Sequence, residues 1–179
     1  RAGGWLAAAA VAAGAVVGLG VKLASVHGWY HRLLLPLILL EMSGGGFAIL
    51  GALDAACLCC ACAGVCAAVA LRPSTCYEGN ACCRAITVNL FMGDFVEACY
   101  PYMGDDRYIR ASALAGAAAA GAIIVPAAAH ASAYLPIPLA IALCDAWLPF
   151  SAACAAAFTI PFTGTMLRRL ATGTPPDPK

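Results

Sequence analysis

The side chains of this sequence that could do chemistry are acids set inside apolar stretches: Glu41, Asp54, Asp94, Glu97 and Asp145. A carboxylate at the centre of a bilayer costs about 2.5–3.5 kcal/mol on insertion scales, so it has a partner or a water path. Asp94 and Glu97 are three residues apart. On a helix they would share one face and offer two carboxylates to a proton or cation. The plainer alternative is that they pair with Arg84, Arg107 or a helix end. Asp54 lies seven residues into an apolar run. Asp54, Asp94 and Glu97 are therefore the candidates for ion or proton binding. Glu41 and Asp145 fall at expected helix breaks, where capping is the simpler role.

Other reactive residue types are less well arranged. His27 and His31 are four apart, a spacing that suits metal or cofactor ligation, but no third or fourth ligand is placed. Beside Trp29, Tyr30 and Arg32 they read as an interfacial belt. His130 stands alone and reads as a hydrogen-bonded packing residue. Cys57, Cys59, Cys60, Cys62 and Cys66 crowd one apolar segment. Cys59, Cys62 and Cys66 share a stripe while Cys57 and Cys60 point elsewhere, so no tetrahedral cage follows. Free cysteine in such surroundings behaves as a small apolar residue. Cys76, Cys82 and Cys83 lie in a polar stretch, where an oxidising compartment would let a disulfide form. Ser43-Gly44-Gly45-Gly46 lacks the Lys and Ser/Thr of a phosphate loop and follows no strand. No catalytic, metal or cofactor site is predicted, and no nucleophile–base pair argues for an enzyme.

The stretch Glu41-Met42-Ser43-Gly44-Gly45-Gly46-Phe47-Ala48-Ile49-Leu50-Gly51-Ala52-Leu53 is similar to the helix motif of chlorophyll-binding light-harvesting proteins. That motif has Glu, a Gly-Arg pair, an aromatic residue and then Ala-Met-Leu-Gly-Ala. Gly46 stands where the motif has the Arg that bridges to another helix, and Gly44 where it has the pigment-ligating His or Asn. The last third of the chain holds no second copy. With bridge and ligand both replaced by glycine, the resemblance implies no pigment site here.

The elements that must position these residues are apolar helices. Of the 179 residues, 63% are hydrophobic and only 11% charged, with mean hydropathy +0.86; soluble domains carry about 25% charged residues. A formal charge of +1 gives no basic stripe for nucleic acid. A helical span needs about 20 apolar residues. The first runs from Gly3 to about Leu23, longer than the ~7–15 residue core of a signal peptide, and is closed by Lys22 and the aromatic belt. Leu33–Met42 forms a short helix, the glycine run a break, and Phe47–Leu71 a full span ended by Arg72-Pro73. Ser74–Arg84 reads as an exposed loop. Ala85–Met103 crosses, dips in and returns, or lies at the interface. Ala111–Ala133 is a span with Pro126 as a kink, Tyr134–Cys144 a short segment, and Ala146–Leu167 a last span. The fold class is all-α: a polytopic transmembrane bundle of about four or five membrane helices with one or two broken or re-entrant segments. Its parts are residues 1–71, residues 72–110 with the acids, residues 111–169 as a possible repeat of the first, and a disordered tail over 170–179.

Two further patterns bear on function. The first and last thirds echo each other (small-residue span, His, aromatic, Leu-Pro, acid, second span), as duplicated transporters do. Helix faces are rich in Ala, Gly, Cys and Ser, which let helices approach closely; Gly44, Gly45, Gly46, Gly51 and Gly64 are the expected packing points. Small faces too numerous for one chain to hide point to a homo-oligomer or to other membrane subunits as partners, beside the lipid bilayer. The expectation is a non-enzymatic subunit of a larger membrane assembly, with an energy-transducing organellar complex as one fitting setting. The alternative is a small oligomeric transporter or channel for a proton, cation or small solute.

Overall fold

The computed structural model describes residues 2–173. It is an all-α bundle of eight helices, four of them long and apolar enough to cross a membrane. Helix α1 is Ala2–Val26. Helix α2 spans 30–42 and opens with a π turn at Tyr30–Leu34. Helix α3 is Ile49–Leu71 and contains a π stretch at Asp54–Cys60. Helix α4 spans 76–92 and closes with a π turn at Val88–Met92. Then follow α5 (Tyr100–Asp105), α6 (Arg107–Ala127), α7 (Ile137–Leu143) and α8 (Trp147–Thr172). The long apolar helices are α1, α3, α6 and α8.

Helix α3 is the axis of the bundle. Its most apolar window is 89% buried, against 22%, 39% and 33% for those of α1, α6 and α8. The cysteine-rich run is thus enclosed by the chain's own helices, and α1, α6 and α8 present the lipid-facing surface. The residues at the crossings explain the close approach. A Cβ on Gly18 would overlap the carbonyl of Ala117, and one on Gly14 or Gly121 would overlap the carbonyl of the other. Gly64 meets the carbonyl of Phe158, and Gly51 that of Ala131. Inside lipid such backbone contact is what holds helices together.

The same contacts fix direction. Gly14 meets Gly121 while Gly18 meets Ala117, so α6 runs antiparallel to α1. Cys57 of α3 donates to the Ala117 carbonyl at 3.4 Å, whereas Cys62 to Val69 pack with Ile109 and Ala113; α6 is antiparallel to α3 too. Gly116 under Pro161 and Gly164 against Ser112 make α8 antiparallel to α6. Hence α1, α3 and α8 run one way and α6 the other.

The two ends of the bundle are pinned differently. At one end Arg168 pairs with Asp106, and Arg169 reaches Glu78 at 2.7 Å and the carbonyl of Arg72. At the other end two carboxylates bind backbone amides. Glu41 accepts from the backbone N–H of Ile49 and Leu50 at 3.1 and 2.9 Å, and Asp145 accepts from His130 and Ala146 at 3.1 and 2.8 Å. Glu41 satisfies amides that the start of α3 leaves open, whereas Asp145 ties the His130 loop to the residue before α8 and does not cap the helix, contrary to the capping role expected for it.

Since α3 ends and α6 begins at the arginine end, the segment between them enters the bundle and returns. Helix α4 climbs along α3 with Cys82 beside Cys66, turns at Gly93, and α5 descends. Likewise α6 ends and α8 begins at the carboxylate end, and residues 128–146 dip in and return through α7. The two turning points meet, for Gly93 lies against the backbone of Leu135. Residues 85–103 therefore dip in and return rather than cross.

Several expectations are corrected. Ser74–Arg84 is not a loop: helix α4 starts at Cys76, with Thr75 Oγ1 accepting from the Glu78 N–H at 3.0 Å and Glu78 accepting from the Ser74 N–H. This is reciprocal N-terminal capping. Pro126 does not kink α6 but falls in its last turn, closed by Ala128 at φ 47°. The thirds of the chain do not share a topology, since α1 and α3 are parallel while α6 and α8 are antiparallel. Helix α8 continues to Thr172, past the expected start of the tail at 170, and residues 174–179 lie outside the described residues.

Candidate functional site

Where the turning points meet, the bundle interior is polar. Lys22 of α1 is fully buried, its Nζ 5.7 Å from the centre of the Phe95 ring and 5.9 Å from that of Tyr100. Asp54 of α3 is 2% exposed. Among the described residues, neither Lys22 Nζ nor Asp54 Oδ1 has a hydrogen-bond partner. Native interiors satisfy nearly all such groups, so each orphan calls for an explanation. The Tyr30 hydroxyl lies beside Asp54 and 3.1 Å from the hydroxyl of Tyr134, which is 38% exposed. These three groups make a polar file from the axis of the bundle towards its surface. Ser25 bonds Tyr100, closing the cluster on the Lys22 side.

The local structure that delivers these groups is unusual in a consistent way. Tyr30, Asp54 and Asn89 each belong to one of the three π turns. A π turn widens the helix and recurs at functional sites. Asn89 is fully buried and holds the first turning point, accepting from the Val96 N–H at 2.8 Å. Gly93 there has φ 71°, and a Cβ would overlap Leu135, so only glycine fits. Tyr134 has φ 63°, a strained conformation for a side chain of its size. Strain of this kind collects where a residue must be aimed. Non-helical backbone at membrane depth is tolerated when buried in protein or lining a polar cavity.

The predicted site residues divide. Asp54 lies at the heart of the cluster. Asp94 and Glu97 do not share a helical face: Gly93 stops the helix, residues 93–97 are irregular, and both acids are exposed. Gly44, Gly45 and Gly46 do not pack helices. They form an exposed turn in which a Cβ on Gly45 or Gly46 would meet nothing within 4 Å, and Gly46 serves by adopting φ 78°. Gly51 and Gly64 sit at backbone crossings. His27 lies past the end of α1 and bonds the Leu23 carbonyl at 2.8 Å, while His31 belongs to α2; they do not share a helix. His130 Nδ1 is 3.0 Å from Asp145 Oδ2. All eleven cysteines are free, and Cys76, Cys82 and Cys83 occupy a single helix. Among the described residues no three His, Cys, Asp or Glu side chains converge as metal ligands.

Electrostatics at the ends follow the hydrogen bonds. The backbone and side chain of His130 hold the Asp145 carboxyl down at about 2. Burial pushes the Glu78 carboxyl up, but Arg169 and Ser74 outweigh it and keep it below its ordinary value.

Lys22 is the residue that sequence reasoning misplaced, since it was expected at the headgroup level. The signal was present: Gly14, Gly18 and Lys22 recur every four residues, so the lysine lies on the face that the glycines press against α6. Phe95 in the turn after α4 and Tyr100 of α5 then cover it from the side.

No family model matches the sequence, and no curated protein or solved structure is similar to it. Function must be argued from the site itself.

Proposed function

We propose that this chain is a small membrane transporter or channel that passes a proton, a cation or a small polar solute through the interior bounded by α1, α3 and the two turning points. One observation carries the reading: a basic and an acidic side chain, Lys22 and Asp54, are buried in spans and each keeps a polar atom unpartnered. Ionisable groups inside membrane segments mark substrate and proton paths, and discontinuous segments near the middle of a bundle are where transporters bind. Asp54, Tyr30 and Tyr134 supply a file of exchangeable hydroxyl and carboxyl groups, and Lys22 supplies donors on the other side. Asp94 and Glu97 flank the turning point as exposed acids, suited to attracting a cation rather than holding it.

The test is flux in liposomes. Wild-type protein is reconstituted, and proton, monovalent-cation and amino-acid uptake are followed. Asp54→Asn abolishes the transported flux while the protein still extracts as the same species; equal flux from wild type and variant, or none from either, refutes the reading.

A second reading keeps one observation of its own. The α1 residues Ala7, Ala8, Ala9, Ala12 and Ala13 remain exposed, a small-residue face of the kind that accepts another helix. It supports a homo-oligomer or a neighbouring subunit. The small faces of α3 are covered within the chain, whereas Ala111, Ala115, Ala152 and Ala155 of α6 and α8 are exposed and add to the surface that a second helix could cover. Native mass with identification of every co-purifying chain separates the two.

A further inference from the structure

We infer that the arginine end of the bundle carries a specific site for an anionic phospholipid, headgroup in a polar cleft and acyl chain in an adjoining apolar groove. An open cleft of about 490 Å³ lies between α5, the start of α6 and the end of α8, lined by Gly104, Asp105, Asp106, Arg107, Tyr108, Arg110 and Arg168. A second hollow of about 340 Å³ shares Tyr108 and Arg168 with it and continues along α8 past Gly164 and Leu167. The first is polar and the second apolar, and they join at one tyrosine.

Charge and position choose the occupant. Asp106 is engaged by Arg168 and by the Tyr108 N–H, which leaves Asp105 as the one free carboxylate in the cleft. Arg107 and Arg110 are exposed and form no ion pair among the described residues. Their guanidinium groups match a phosphate in both charge and fork geometry. Tyr108 lies between Arg107 and Arg168, 5.0 and 4.8 Å from its ring centre, so the guanidinium planes are held rather than free. A soluble phosphate would use this cleft and leave the groove empty. The groove starts where the spans α6 and α8 end, at headgroup level, and runs into their apolar length. Only an amphiphile fills both. A zwitterionic phospholipid brings its own cation to the arginines, so the anionic class is the complement.

The experiment reads thermal unfolding of the whole chain in mild detergent, with added phosphatidylglycerol, phosphatidylcholine or inorganic phosphate. Phosphatidylglycerol raises the midpoint in a saturable way, and the other two do not. R107Q/R110Q keeps the wild-type midpoint without lipid and binds phosphatidylglycerol roughly thirty-fold more weakly, as two arginines near an anionic surface imply. Equal shifts from both phospholipids, or an equal shift from inorganic phosphate, overturn the proposal. So does an unchanged response of the variant. Should the double variant fail to fold, the wild-type preference between the two phospholipids decides alone.

Discussion

Replacing Lys22 by Met should leave this protein at least as stable and make it less active. The amine is fully buried with no acceptor among the described residues. An unsatisfied buried polar group costs about 1–3 kcal/mol, more if charged. Two aromatic rings near 6 Å return part of that, about 0.5–1 kcal/mol each at the exposed limit. Methionine matches the stem of lysine in length and needs no acceptor. Replacing buried charged groups by apolar ones of similar volume is commonly neutral to stabilising. The net change is then between about zero and a gain of about 2 kcal/mol, a rise in Tm of up to roughly 8 °C for a chain of this size. The assay is unfolding in detergent by tryptophan fluorescence, run beside liposome flux on the same preparation. A fall in Tm would mean that Lys22 has a partner, and the case for an open site on that side would collapse. A rise in Tm with flux intact would separate the lysine from transport.

Three further outcomes are expected. Gly18→Leu should destabilise the protein by about 1–3 kcal/mol as an overpacked crossing, since its side chain would meet the Ala117 carbonyl; an unchanged Tm would show that α1 is not seated on α6. The Asp145 carboxyl should titrate near 2 rather than at 3.8 in a carbon NMR titration. A depressed folded pKa places its stabilising effect above the ordinary value, with loss as pH falls from about 4 towards 2; Asp145→Asn should abolish that transition, and a midpoint near 3.8 would show the contact with His130 to be open in solution. Of the eleven cysteines, an impermeant maleimide should react with the exposed Cys76 and Cys83, and both should be reached from the same side of a sealed vesicle. Reaction of Cys57 or Cys62 at a similar rate would show that α3 is not the enclosed axis.

Much of the architecture was legible in the sequence because apolar length dictates it. The spans, the break at the glycine run and the role of Glu41 at the start of α3 all follow from where polar backbone must be satisfied. Local chemistry was legible as well: Thr75-x-x-Glu78 is a helix-start signature inside a stretch whose polar composition suggests a loop. What the sequence could not supply was mutual arrangement. Asp94 and Glu97 had helical spacing, but spacing holds only while the helix does, and Gly93 ends it. Lys22 resembled an interfacial anchor because a one-dimensional reading compares it with His27 and Trp29. Its surroundings are set by Phe95 and Tyr100, more than seventy positions away. How the small residues divide was likewise hidden: those of α3 are enclosed by the chain's own helices, while α1, α6 and α8 keep exposed alanines.

The wide turn in the axis helix has a mechanical consequence. Two regular runs, Ile49–Leu53 and Ala61–Leu71, are joined by seven residues wound at a looser pitch. Tightening that stretch by a single position would rotate one run against the other by about 100°, the angle per residue of a regular helix, and carry Asp54 around with it. The crossings oppose it, because rotation would replace Gly51 against Ala131 or Gly64 against Phe158 by a residue whose Cβ overlaps a carbonyl. The wide turn is thus clamped on either side by a backbone crossing, and those two crossings fix the direction in which Asp54 faces.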